Sequence, residues 1–427
     1  MISGMQNPLP DRSGTAPLRV AVIGAGVRSV SYLTNVPPEL RGSIRLVAVA
    51  DPSEKRRRLL IDRYAEWGAP AEFSDGSGLL ANAEYDALII GSYNNTHADF
   101  AMAAMDSGSC ILVEKPVATS VDQCRRLWAK YRESANRRVF VGFVLRYAPF
   151  YEKLVRLLRA NAIGQLMAID ADENLSQSIT SGFYRGWRQH DTVSGGFMVE
   201  KCSHDFDILH MLTGCRVKQV FSMAKRTHFI PRPRHEQHRR FDSAVIRNLA
   251  LDYGDIHTKQ IFENTPDGSV YESQGDVPDH QAVMLEFEDG TLVNFMACLG
   301  QPRNTRRIRI FGSNGSLEGD IDRGTILHDT PFEERLGAET QTYKVDFDSS
   351  GHHGADSVIN NAFWQAAAGG EVLCRAGVRE GIDAVLVGIA VEQSKHLGTP
   401  VSLDAMRREV FGSETSVLKR ETAESHS

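Results

Sequence analysis

The chain has 427 residues, enough at about 150 per domain for two or three domains. Hydrophobic residues make up 42% and charged residues 24%, which excludes wholesale disorder. With 48 Lys and Arg against 54 Asp and Glu the net charge is -6, which argues against a broad nucleic-acid-binding face.

Residues 1–17 are rich in Gly, Pro, Ser and Asn and lack the basic and apolar regions of a signal peptide. They read as a disordered tail. Order begins at Leu18, where Leu18 to Ile23 is a β-branched apolar run ending in Gly24-Ala25-Gly26. Further strand-like runs are Ile44 to Ala50, Ala87 to Ile90, Ser109 to Val113 and Arg138 to Val144. Helical stretches lie between them, at Asp75 to Ala83 and Ala98 to Ser107. Ser120 to Ser134 is the clearest helix, with Ser120 as N-cap and Gln123 completing a capping box. Strands alternating with helices predict an α/β fold over residues 18–148, with right-handed βαβ units and a parallel sheet covered on both faces.

From about Pro149 the pattern changes. A helix over Phe150 to Asn161 leads to a strand at Leu166 to Glu173. Alternating runs on either side of Asp289-Gly290 predict a hairpin, continued at Arg307 to Gly312 and Ser316 to Ile321 around Asn314-Gly315. Residues 149–411 therefore read as a largely antiparallel sheet with a few helices. A last helix covers about Val378 to Lys395. Residues 225–279 read as an insertion of uncertain order, and 412–427 as a second disordered tail.

Cys110, Cys124, Cys202, Cys215, Cys298 and Cys374 form no C-x-x-C pair, so reduced thiols in a cytoplasmic protein are expected. No apolar run approaches the roughly 18 residues that span a bilayer, so no membrane partner is expected either.

Two regions carry chemistry. Gly24 and Gly26, with Val27 and Arg28, end a strand and open a helix, where free N–H groups can meet a pyrophosphate. An ordinary glycine turn has the same signature. Asp51 ends the next strand, somewhat farther along than the ~20 residues usual for a ribose-binding acid. A carboxylate there favours NAD. Arg56, Arg57 and Arg58 stand nearby and leave NADP as the alternative.

Downstream, Glu114-Lys115-Pro116 closes a buried strand, so Lys115 falls at the carboxyl edge of the sheet, where such folds bind ligands. A snorkelling surface lysine is the bland alternative. In Gly195 to Leu212 the apolar spacing predicts one continuous helix, with Glu200 and His204 as i, i+4 neighbours forming an acid/base pair. A structural role for His204 is the competing reading. His190, His210, His352 and His353 are rival histidines. No H-E-x-x-H or third ligand accompanies Glu200 and His204, so no metal is expected.

In order, Gly24-x-Gly26, Asp51, Glu114-Lys115-Pro116, Gly142-Phe143 with Arg146-Tyr147, Gly195-Gly196 and Glu200-x-x-x-His204-x-x-Asp207 resemble the Gfo/Idh/MocA family (glucose-fructose oxidoreductase, inositol dehydrogenase and rhizopine catabolism). The resemblance spans Leu18 to Ser402 and implies an N-terminal Rossmann domain with a parallel sheet (18–148) and a C-terminal α/β domain with an open, mostly antiparallel sheet (149–411), used for substrate binding and oligomerisation. It implies NAD(P)-dependent oxidation or reduction of a ring hydroxyl on a sugar, inositol or related polyol. Lys115 then matches the catalytic lysine and His204 the catalytic histidine, while Glu200 stands where many members have Asp. Val144 replaces a common Asn. Ser92, Asn94 and His97 fall in the loop that touches the cofactor in relatives, beside Glu114, Lys115 and Pro116. Arg146, Tyr147, Trp187, Arg188 and His190 fall on substrate-side segments. The resemblance further implies a homo-oligomer, a dimer or tetramer, assembled through the C-terminal sheet. Two other readings remain open: transient oxidation by tightly held NAD that enables glycoside cleavage without net redox, and a catalytically retired binding or regulatory subunit.

Overall fold

The computed structural model describes residues 16–231, 270–331, 337–348 and 351–412. Six strands form the first sheet: β1 (Leu18–Ile23), β2 (Ile44–Ala50), β3 (Ala71–Phe73), β4 (Ala87–Ile90), β5 (Cys110–Val113) and β6 (Val139–Val141). They run parallel in the order β3-β2-β1-β4-β5-β6. Strands β4, β5 and β6 are buried at every position, as a sheet covered on both faces requires. The order reverses between β1 and β4, and the carboxyl ends of strands at such a switch point frame the ligand crevice.

Nine strands form the second sheet: β7 (Leu166–Ser176), β8 (Val217–Lys225), β9 (His280–Phe287), β10 (Leu292–Gln301), β11 (Arg307–Gly312), β12 (Gly315–Asp320), β13 (Thr325–Pro331), β14 (Ala338–Lys344) and β15 (Val401–Ser402). Their order is β14-β13-β12-β11-β7-β10-β9-β8-β15. The β9–β10 hairpin turns through Asp289-Gly290. Only β7 and β10 pair in parallel among these neighbours. One face is buried through Val283, Leu285, Val293, Phe295, Ile308 and Ile310. The other carries exposed Met223, Met284, Leu292, Met296 and Phe311.

Two late helices tie the sheets together. Ala355–Ala367 packs on the first sheet, with Phe363 edge-on to Phe140 and the Trp364 indole donating to the Tyr32 carbonyl at 3.2 Å. Val378–Leu397 lies between them, and Glu392 accepts from the Met198 N–H at 3.0 Å. Ser120 caps Val121–Glu133 as expected, accepting from the Gln123 N–H. The Gln123 side chain reaches back to Thr119 rather than to Ser120, so the capping box is displaced by one residue. The expected insertion lies largely outside the described residues, as do residues 1–15 of the first tail and 413–427 of the second. Among the described residues no helix is long and apolar enough to cross a membrane.

Candidate active site

The cleft begins where β1 meets the helix Val27–Thr34. Gly24 holds φ +90°, and a Cβ there would lie 2.4 Å from the Gly91 carbonyl oxygen. Only glycine lets the β1 and β4 loops approach so closely. The helix starts at Gly26 with no side-chain cap, which leaves its first-turn N–H groups available to an anion. Asp51 is nearly buried at the end of β2 and accepts from the N–H groups of Ala25 (3.0 Å) and Ser53 (2.8 Å). An uncapped helix end facing a fixed carboxylate fits a dinucleotide, with its pyrophosphate on the first and its ribose at the second.

The β4 loop is internally braced. Ser92 Oγ meets Thr96 Oγ1 at 2.7 Å, and Asn94 donates to the Ser194 carbonyl at 3.0 Å. His97 is buried with its ring nitrogens 2.8 Å from the Pro116 carbonyl and 3.1 Å from that of Ser92. These contacts make His97 a clasp between the β4 and β5 loops.

After β5 the three motif residues diverge. Glu114 accepts from Arg28 Nε and from the Tyr32 hydroxyl, each at 2.7 Å. Lys115 Nζ contacts Glu200 Oε2 at 3.0 Å and also donates to the Glu200 main-chain carbonyl. Arg188 Nε lies 3.0 Å from Glu200 Oε1. Burial opposes ionisation of Glu200, but the Lys115 ammonium and the Arg188 guanidinium outweigh it and hold the carboxyl down at about 2.

The continuous helix expected through Gly195 to Leu212 is not formed. It divides into Phe197–Glu200 and Ser203–Thr213. Unbroken, it would direct the Glu200 carbonyl at the N–H four residues on, that of His204. Lys115 Nζ occupies that carbonyl instead, and Lys201 turns inward to Glu173 at 3.2 Å. Glu200 is therefore partnered with Lys115, not with His204.

His204 is buried, 5.6 Å from the Phe143 ring and 6.1 Å from that of His352, centroid to centroid. Among the described residues its Nδ1 has no hydrogen-bond partner. Burial, with Lys115 and His352 nearby, pushes its pKa well below the usual imidazole value, so it stands neutral. Behind it Arg306 pairs with Asp205 at 3.0 Å and with Glu173.

The other candidates separate clearly. Arg146 places Nε 2.7 Å from Asp207 Oδ2 and donates to the Arg375 carbonyl at 2.8 Å, while the Tyr147 hydroxyl accepts from the Arg375 N–H at 3.2 Å. Both are committed to internal partners. Trp187 meets Tyr93 of the β4 loop edge-on at 5.4 Å, and the Arg188 guanidinium lies over Trp187 at 5.2 Å. His190 is exposed, and His210 is buried against Phe287. Among the described residues no group of three or more His, Cys, Asp or Glu could hold a metal ion. Sequence reasoning missed the chain Glu114–Arg28–Asp356–His352, which joins three segments far apart in sequence.

Residues 18–143 match a family described as an oxidoreductase family with an NAD-binding Rossmann fold, and 155–403 match the C-terminal alpha/beta domain of the same family. The chain belongs to the Gfo/Idh/MocA oxidoreductase family. It is an NAD-binding oxidoreductase. It is 21% identical over 378 residues to YteT of Bacillus subtilis, covering 81% of this chain and 87% of that one. Inositol 2-dehydrogenase 1 of Saccharopolyspora erythraea is 32% identical over 204 residues, 48% of this chain and 56% of that one. A levoglucosan dehydrogenase solved with NADH and L-sorbose shares the fold, with a TM-score of 0.68, 18% identity and coverage of 91% and 99%.

Proposed function

We propose that this enzyme transfers hydride between NAD and a ring hydroxyl or ketone of a sugar, inositol or related polyol. The observation that carries the reading is the Lys115–Glu200 ion pair at the cofactor edge of β5, with a neutral buried His204 beside it. The names of the inositol and levoglucosan dehydrogenases support the substrate class. Bound NAD supplies the hydride acceptor. The turn at Gly24 and Gly26 with the backbone of Val27 and Arg28 would hold its pyrophosphate, Asp51 its ribose, and Ser92, Asn94 and Lys115 its nicotinamide half. In the oxidation direction His204 takes the hydroxyl proton, Lys115 stabilises the alkoxide charge, and Glu200 fixes Lys115 in place. Trp187 and Tyr93 offer an aromatic wall to the substrate ring.

The test is a screen of sugars, inositols and their oxidised forms with NAD and NADP, following absorbance of the reduced cofactor. Turnover of a polyol with net NADH formation is expected. Glycoside cleavage without NADH accumulation would assign the transient-oxidation chemistry instead, and partner binding without any turnover would assign a retired subunit.

NADH should bind about tenfold or more tightly than NADPH. A 2′-phosphate near Asp51 meets repulsion of roughly 1.4 kcal/mol or more. Arg57 and Arg58 offer little compensation, since both already pair with Glu72 on β3, at 3.2 and 3.1 Å. Equal or tighter NADPH binding in a fluorescence titration would overturn this.

The exposed face of the second sheet should be covered by a second copy of the chain. Met284 faces Phe221 and Asn294 across the ladder, and Met223 and Met296 flank Ala282, so the apolar groups form one belt. A patch of this kind is unusual on a monomer. Light scattering should report a dimer or larger, and Met223→Glu with Met284→Glu should shift it toward monomer. A monomeric native protein at micromolar concentration would refute the assignment.

A further inference from the structure

The proposed reaction leaves one proton unaccounted for. His204 is buried and its charged form is disfavoured, so a proton taken from substrate has to move on. Among the described residues the imidazole that packs beside His204 is that of His352, 6.1 Å away between ring centroids and inclined by 47°. At that centroid separation the ring nitrogens stand beyond direct hydrogen-bonding distance, so a bridging oxygen has to carry a proton between them.

His352 is held for such a task. Its Nδ1 lies 2.9 Å from Asp356 Oδ2, and donation there leaves Nε2 as the free, proton-accepting nitrogen. Asp356 sits in the first turn of Ala355–Ala367, where the helix dipole favours a negative charge. Arg28 donates to its other oxygen from both terminal nitrogens at 3.2 Å. Gly351 closes over the carboxylate so tightly that a Cβ would lie 2.1 Å from Oδ2. His352 and His353 both take left-handed backbone angles, φ +53° and +56°, which non-glycine residues seldom adopt. They face different partners, since His353 Nε2 lies 3.3 Å from Asp322. The His352 side chain keeps 34% of its surface exposed, whereas His204 as a whole keeps 4%. His352 is therefore the more accessible of the two imidazoles.

We propose that His352, oriented by Asp356, is a positioning and proton-relay residue for His204. This rests on the hydride-transfer reading above. In the oxidation direction the substrate O–H proton passes to His204, and the hydride pair leaves with the carbon-bound hydrogen for NAD. His204 then gives its proton to a bridging oxygen, a water or a neighbouring substrate hydroxyl. That oxygen gives one proton to His352 Nε2, which releases it to solvent. Both histidines end neutral.

The test compares wild type, His352→Gln and His204→Ala, using whichever of myo-inositol, levoglucosan and glucose turns over. For His352→Gln, kcat should fall about 10- to 100-fold, less than the about 10²–10⁴ of a direct proton acceptor. Added imidazole should restore much of it, the solvent deuterium isotope effect on kcat should rise, and KM and NADH affinity should hold. A merely structural role would give a loss that imidazole does not repair. Unchanged kcat, or an unrepaired loss with an unchanged isotope effect, overturns the relay. His352→Asn carries the same comparison if His352→Gln fails to fold. A silent His352→Gln beside a crippled His204→Ala sinks the relay alone. An active His204→Ala, or wild-type enzyme that turns over none of the three, sinks the underlying reading and the relay with it.

Discussion

His204→Ala is expected to lower kcat by about 10²–10⁴ and to abolish the acidic limb of the pH profile. That factor corresponds to about 2.7–5.4 kcal/mol of transition-state stabilisation. The proton acceptor must be neutral to act. Burial, reinforced by Lys115 and His352, disfavours the imidazolium, so the neutral form persists into acid. The limb in kcat/KM should therefore lie below the ~6.5 of a free imidazole, with activity full above it and lost as pH falls. A stability signature accompanies it. Below about pH 6.5 the unfolded chain binds a proton that the folded site resists, so folding stability falls with pH there. His204→Ala should make that fall shallower. His204→Gln preserves more of the packing against Phe143 and separates lost chemistry from lost volume. Near-wild-type turnover with an unchanged pH profile would refute the role of His204.

Much of the fold is legible in the chain because buried parallel strands are short apolar runs bounded by glycine or charge. Leu18 to Ile23, Ile44 to Ala50 and Ala87 to Ile90 coincide with β1, β2 and β4. β3 escaped notice because it is three residues long and pairs along one side only, with β2. β14 was equally silent: six of its seven residues are exposed, and Ala-Glu-Thr-Gln-Thr-Tyr-Lys has no apolar alternation to read. The antiparallel character of the second sheet followed from the β9–β10 hairpin, whereas the parallel pairing of β7 with β10 joins segments far apart in sequence.

For the site, residue types were easier to read than partnerships. Lys115, Glu200 and His204 stood out, but periodicity paired Glu200 with the wrong neighbour. Helical spacing reports which side chains share a face only while the helix continues, and a lysine just past β5 takes the carbonyl that would continue this one. Arg28 lies at the head of its helix, as its place after Gly26 predicts, but its side chain turns to Glu114 and Asp356. The contact with Asp356 depends on Ala355–Ala367 returning to the first sheet, a tertiary event with no local signal. His352 was only one histidine among several for the same reason.

Lys115→Ala should lower kcat by roughly 10²–10³, the usual loss for a preorganised electrostatic contact. The argument starts from how Lys115 is held. Its ammonium is fixed by both the carboxylate and the main-chain carbonyl of Glu200, so little reorganisation is needed as charge develops on the substrate oxygen. Without Lys115, Glu200 keeps Arg188 as its close partner, and its carboxyl should rise from about 2 toward the ordinary range. Glu200→Gln should be milder than Lys115→Ala, since it loosens the ammonium but leaves it in place. The double variant should then cost less than the product of the two single effects, because the residues act as one unit. Lys115→Arg retains charge, but a planar guanidinium cannot occupy the compact position of the ammonium, so rescue should be partial. Cofactor affinity should weaken in Lys115→Ala and survive in His204→Ala, because only the lysine is positioned at the cofactor edge of β5. Turnover within a few-fold of wild type for Lys115→Ala, with NADH binding intact, would leave the lysine a structural partner of Glu200 and move the burden of charge stabilisation to Arg188.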